Sequence, residues 1–138
     1  MLADGYHLRL RVTGNSMSPF LKTGSYVTLS RVPLSELQVG DIIFCRCDDG
    51  SFKLHRLIMI QNKILITKGD ALDFPDKPFE KKDYQGKVIR IERRRPHAVI
   101  SRNMELRSIR TANYLIATCS RLKLHLIRKF FALKSKLA

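Results

Sequence analysis

Through the first two thirds of the chain, apolar and polar residues alternate in short runs, and each run stops at a turn. In residues 6–13, Leu8, Leu10 and Val12 fall on one side, with His7, Arg9, Arg11 and Thr13 on the other. A period of two is the mark of a half-buried strand, because successive side chains point to opposite faces. Residues 26–29, 41–47, 52–60, 63–67 and 86–94 read as further strands. Asp48-Asp49-Gly50-Ser51 turns one hairpin and Gln61-Asn62 a second, since residues of these types accept the backbone of tight turns. Residues 33–40 make a connection with room for one helical turn. Residues 68–85, with Asp70, Asp73, Pro75, Asp76 and Pro78, form a long irregular segment. Short strands joined by turns, without alternating helices, predict a mainly β domain: a barrel or a folded sheet.

Arg93-Arg94-Arg95-Pro96 marks a boundary and divides the chain into a β domain, 1–95, and a basic tail, 96–138. In the tail, Leu115, Cys119, Leu122, Leu126, Phe130, Leu133 and Leu137 recur every three or four residues, the apolar stripe of a helix. Arg121, Lys123, Arg128, Lys129, Lys134 and Lys136 occupy much of the remaining surface. The whole chain carries a formal charge of +14, which favours an anionic partner. The first 95 residues hold 17 basic side chains against 11 acidic; the last 43 hold 9 against 1. The tail is therefore the basic element. Three readings of it stay open: a helix packed on the body, a helix lying in the interface of an anionic membrane, and nucleic-acid binding. The last is disfavoured, because no motif that reads bases accompanies the charge.

Residues 1–5 have neither a basic start nor an apolar core, so no secretory leader is expected, and no apolar run is long enough to span a membrane. Together with three cysteines, an odd number, this points to a reduced, cytoplasmic setting, with peripheral membrane attachment through the tail as its variant. Cys45 and Cys47 alternate onto one face of a strand. A buried apolar pair suits them better than metal ligation with His55, since no Cys-x-x-Cys spacing is present.

Gly14-Asn15-Ser16-Met17-Ser18-Pro19 stands at the end of the first strand as a constrained bend. Such a bend is either a plain turn or a place where glycine lifts a nucleophile clear of the backbone. Ser16 needs a base. His55 lies in the return strand 52–60, sharing a face by parity with Lys53 and Leu57, and an aspartate-rich loop follows the next strand. A serine, a histidine and a carboxylate are the parts of an acyl-transfer site. The imidazole accepts the hydroxyl proton, and the carboxylate fixes its tautomer. Lys53, on the face of His55, is the rival base if burial lowers its pKa.

Five boxes in order carry a resemblance: residues 14–19; Gly40-Asp41-Ile42-Ile43; His55-Arg56-Leu57-Ile58; Thr67-Lys68-Gly69-Asp70; and Gly86-Lys87-Val88. Over roughly residues 8–92 the chain resembles type I signal peptidases and, more loosely, the self-cleaving domain of LexA-type repressors. The resemblance implies a mostly β peptidase fold, no metal and no cofactor; the basic amphipathic helix of the tail is appended to it. It implies Ser16 as nucleophile. A histidine, His55, stands where bacterial members place a lysine, which resembles the Ser-His-Asp branch, with Asp76 as third member and Asp70 as support. The partner it implies is a peptide in extended conformation that pairs with a strand edge. Two departures stand out. Gly14 occupies the place where many members have a serine that helps hold the oxyanion, leaving the Ser16 amide with Thr13 or Asn15. The membrane anchor of the exported-protein peptidases is also missing. The expected function is a serine endopeptidase acting on a leader, signal or precursor peptide. The alternatives are an inactive peptidase-like binding module and a self-cleaving regulator.

Overall fold

The computed structural model describes residues 5–137, with the side chains of 127 and 130–137 left outside the description. Eight strands and one long helix make up the fold: β1 (His7–Arg11), β2 (Tyr26–Ser30), β3 (Ile42–Arg46), β4 (Phe52–Gln61), β5 (Ile64–Lys68), β6 (Phe79–Glu80), β7 (Tyr84–Arg95), β8 (Ala98–Asn103) and α1 (Arg107–Leu137). The strands form one antiparallel sheet in the order β1-β2-β7-β3-β4-β5-β6, curled into a half-barrel, with β8 paired to β7. The fold is mainly β, as expected.

Alternation explains the core. Ile42 and Ile43 are neighbours on β3 and both fully buried, yet they enter different clusters. Ile42 joins Val12, Met17, Leu21, Val27, Leu29, Val88, Ile91 and Met104 on one face of the sheet. Ile43 joins Leu37, Leu57, Leu65 and Tyr84 on the other. A central strand with both faces covered reads as a continuous apolar run, which is what residues 42–45 are. β1 is the opposite case: it pairs with β2 alone, and Leu8 remains 40% exposed.

The turns follow their residues. Asp49 Oδ1 accepts hydrogen bonds from the Ser51 amide and hydroxyl in the first hairpin, and Gly50 takes φ +81°. The second hairpin turns at Asn62-Lys63, one residue later than expected, with both at positive φ (49° and 67°). That is the backbone that matches the twist of the strands it joins.

Two expectations need correction. Residues 98–103, assigned to the helical tail, form β8, paired with β7 from Arg90↔Asn103 to Arg95↔Ala98. Arg93, Arg94 and Arg95 thus end a strand and lead into a hairpin, and helix begins only at Arg107. The segment 68–85 is not wholly irregular, since β6 pairs with β5 and a short 3-10 turn follows. The helix packs through Asn113, Ala117 and Leu124, while Leu115, Leu122 and Leu126 of the expected stripe are exposed. Phe130, Leu133, Lys134, Lys136 and Leu137 lie outside the described side chains.

Candidate active site

The bend after β1 is fixed from both ends. Hydrogen bonds Val12 N–Ser25 O and Gly24 N–Val12 O close the neck of the loop, and Met17 and Leu21 drop into the core, 3% and 0% exposed. Burying two such side chains stabilises the loop by about 1.5–3 kcal/mol each. Ser16, between the neck and these anchors, stays half-buried. Its carbonyl accepts from Ala71 N at 2.9 Å. Gly69 makes that approach feasible: a Cβ there would lie 2.7 Å from the Ser16 carbonyl oxygen. Gly14 takes φ +87°, a region that side chains enter at a cost, which is a backbone reason for glycine where the resemblance led one to look for serine. The Thr23 hydroxyl lies 2.5 Å from the Gly14 carbonyl and 2.9 Å from Asn15 Oδ1, tying the bend to the far side of its own loop.

β4 supplies three neighbouring polar groups. His55, 6% exposed, directs Nε2 to Ser16 Oγ at 3.0 Å and Nδ1 to Asp76 Oδ2 at 2.6 Å. A carboxylate can only accept, so Nδ1 carries the proton and Nε2 is left to accept from the serine hydroxyl. Asp76 Oδ2 also accepts from the Thr67 hydroxyl at 2.6 Å, and Oδ1 pairs with Lys53 Nζ at 2.8 Å. Burial pushes the Asp76 carboxyl up, but the bonds from His55, Lys53 and Thr67 outweigh it and hold the pKa down at about 2. For Lys53, burial pulls the pKa down, and the bond and charge of Asp76 more than reverse this, so the net direction is up.

Asp70 does not reach the histidine. Its carboxylate takes two bonds from Arg56, at 2.8 Å from Nε and 2.7 Å from Nη2, in a pair whose side chains are 1% and 3% exposed. Arg56 Nη1 binds Gly40 O at 3.0 Å and Asn113 Oδ1 of α1 at 2.8 Å. At Gly40, φ +105°, a Cβ would meet the backbone of Asn113 at 2.7 Å. The helix is therefore docked on β4 by an arginine that also holds the loop behind the serine. The geometry brings together Ser16, His55, Asp76 and Lys53, and places Asp70 behind them with Arg56.

Thr67, Arg56, Gly69 and Asn113 were not singled out from the sequence for these contacts. Thr67 pairs with Leu57, on the face of His55, only because the register of β4 against β5 shifts between Leu57 and Met59, so parity counted from the hairpin does not find it. Asn113 carried no signal either. Cys45 is fully buried, and burial pushes its thiol up to about 12; both His55 nitrogens are engaged elsewhere, so the ring does not serve the two free cysteines as a third ligand.

Beside Ser16 opens a cavity of about 290 Å³, whose apolar lining includes Leu10, Val12, Met17, Phe44 and Leu54. Chemically, a hydroxyl bonded to an imidazole, itself bonded to a carboxylate, can transfer its proton as oxygen attacks a carbonyl. A sequence model of one family, described as Peptidase S24-like, matches residues 1–89. No curated protein and no solved structure matches the chain.

Proposed function

Since the chain belongs to the Peptidase S24-like family, we propose that it is a serine endopeptidase in which Ser16 attacks, His55 carries the proton and Asp76 orients His55. The observation that carries this reading is the unbroken row from Ser16 Oγ through His55 to Asp76, at 3.0 Å and 2.6 Å. Attack of Ser16 Oγ on the scissile carbonyl sends its proton to Nε2. Asp76 stabilises the imidazolium, which returns the proton to the leaving amine. The acyl-serine is then released by water that His55 activates in the same way. Developing charge on the carbonyl oxygen falls to backbone amides at the bend, that of Ser16 first. Losing one donor of such a hole typically costs ~10²–10³ in rate, so Gly14 predicts a slow enzyme.

The substrate is a leader, signal or precursor peptide in extended form. Among the described residues β1 has one unpaired edge, and it runs straight into the bend, so a peptide added to that edge is delivered to Ser16. The cavity beside Ser16, with Leu10, Phe44 and Leu54 on its apolar side and Arg11 and Lys53 on its polar side, takes a side chain next to the cut. A second reading is favoured by Gly14: a fold of this family that holds peptides without cutting them. A self-cleaving regulator is the third, and differs only in where the scissile segment comes from.

Labelling with a serine-directed phosphonate probe decides among them. The folded protein is expected to gain one adduct at Ser16, and the Ser16→Ala variant none. A wild-type protein that stays unlabelled while its fold is intact selects the binding module. Loss of a peptide from the chain itself, seen by intact mass, selects the regulator.

A further inference from the structure

Among the described residues helix α1 has two non-polar faces, one of them packed on the body and the other exposed. Asn113, Ala117 and Leu124 are 9%, 0% and 9% exposed; Ala117 and Leu124 pack with Ile58 beside Val39 and Ile66. Leu115, Leu122 and Leu126 are 57%, 60% and 59% exposed. At about 100° per residue these three leucines fall within about 40° of one another, roughly opposite Leu124. The stripe that periodicity picks out is thus the one turned away from the sheet, with exposed Cys119 in the same row.

Charge identifies what covers it. Over its 31 residues α1 has no aspartate or glutamate, and it carries eight lysines and arginines. By the same angular count Lys123 lies about 80° from the centre of the leucine row on one side, and His125 about 80° and Lys129 about 40° from it on the other. Arg121 and Arg128 lie nearer the docked face, lining a space shared with Ile58 and Ile66. Lys123 meets one acid of the body, Asp73, at 2.9 Å in an exposed pair. A second copy of the chain would set eight cations against eight. Nucleic acid would satisfy the cations and leave three leucines in water. An anionic bilayer has both an apolar layer and a negative surface. Among the described residues no helix is long and apolar enough to cross a membrane, so the helix lies along the surface.

We propose that α1 is a membrane-docking helix, lying in the interface of an anionic bilayer with Leu115, Leu122 and Leu126 in the acyl boundary and its basic flanks at the headgroups. The docked face of the helix remains on β4, so the body is carried at the membrane surface without unfolding. The inference does not depend on catalysis by Ser16.

The test is co-sedimentation of the full chain with vesicles of phosphatidylcholine alone, and of phosphatidylcholine mixed with phosphatidylglycerol. Binding is expected only to the mixed vesicles, weakening as salt is raised. The variant Leu115→Ser/Leu122→Ser/Leu126→Ser is expected to melt like the wild type, since all three side chains are exposed, and to lose binding at least ~10-fold. The variant Lys123→Gln/Lys129→Gln is expected to bind more weakly and with a shallower salt dependence, which keeps the charge argument testable if the serine variant folds poorly. Absence of binding at low salt, equal binding to both vesicles, or serine-variant binding at wild-type strength overturns the proposal. So does a dimer, seen by sedimentation, that the serine variant dissolves while neither protein binds vesicles.

Discussion

Lys53 and Asp76 are joined Nζ to Oδ1 at 2.8 Å, so the carboxylate that receives His55 on one oxygen is held by a lysine on the other. The two donors come from residues two apart on one face of β4, which is why a single carboxylate can meet both. The relationship favours His55 over Lys53 as the proposed base. A lysine that takes a proton from serine near neutral pH must have a lowered pKa. Burial alone would lower that of Lys53, but Asp76 raises it overall.

Lys53→Ala and His55→Ala are therefore expected to separate. Removing Lys53 leaves the Ser16–His55 bond and two of the three bonds to Asp76, so cleavage and probe labelling should fall only ~10-fold, the scale of one charged hydrogen bond. Removing His55 should cost ~10³-fold or more, as loss of the base does in serine peptidases. Second-order labelling rates of the two variants provide the check. Equal losses, or a larger loss for Lys53→Ala, would reverse the assignment.

Asp76 also links the site to stability. Its pKa lies at about 2 in the folded protein against 3.8 as a free side chain. A depressed folded-state pKa stabilises the protein above the unfolded value, and the contribution is lost as pH falls through the folded one. Asp76, with its side chain 13% exposed, thus contributes about 2 kcal/mol at neutral pH, declining between about pH 4 and pH 2. Asp76→Asn should be less stable than wild type at neutral pH by about that amount, with the gap closing towards pH 2. Urea unfolding at a series of pH values measures it. A gap that persists unchanged at pH 2 would show that Asn fails for packing reasons, not for charge. The same variant should lose ~10⁴ in rate, because an amide can donate to Nδ1 and so favour the wrong tautomer.

Much of this was legible in the residues, and the parts that were not share a cause. Val27 and Leu29, or Ile42 and Ile43, announce strands because burial on a pleated sheet imposes a pattern. β8 imposes none: all six residues from Ala98 to Asn103 are exposed, so nothing selects an alternation there. The register of β4 against β5 shifts between Leu57 and Met59, and parity counted along the sequence cannot carry Thr67 to Asp76 across such a shift with certainty of face. Ser16, His55 and Asp76 stand far apart in sequence and were gathered by resemblance, not by periodicity. The face by which the helix docks left no pattern for a related reason. It is made of Asn113, Ala117 and Leu124, and Asn113 is there for a hydrogen bond to Arg56 that no hydropathy pattern records.

That hydrogen bond belongs to the last prediction. Arg56 is buried with Asp70 in a two-bond pair, and its third nitrogen reaches Gly40 and Asn113. Arg56→Met strips a buried carboxylate of its partner and should destabilise by ~3–5 kcal/mol. Asn113→Ala removes one bond to the charged group and should cost ~1.5–3 kcal/mol. The double variant Arg56→Met/Asp70→Leu leaves no lone charge inside, so it should recover part of the loss, and the cycle should show coupling of opposite sign to the single losses. Unfolding curves of the wild type, Arg56→Met, Asp70→Leu and the double variant test this. Additive losses would mean that the pair is two independent packing contacts. Labelling of Ser16 adds a second readout: Asp70 precedes Ala71, whose amide holds the Ser16 carbonyl, so Arg56→Met should slow labelling even at temperatures where the variant remains folded. A variant that loses stability but labels at the wild-type rate would confine Arg56 to docking the helix, and would separate the stability of the fold from the placement of the serine.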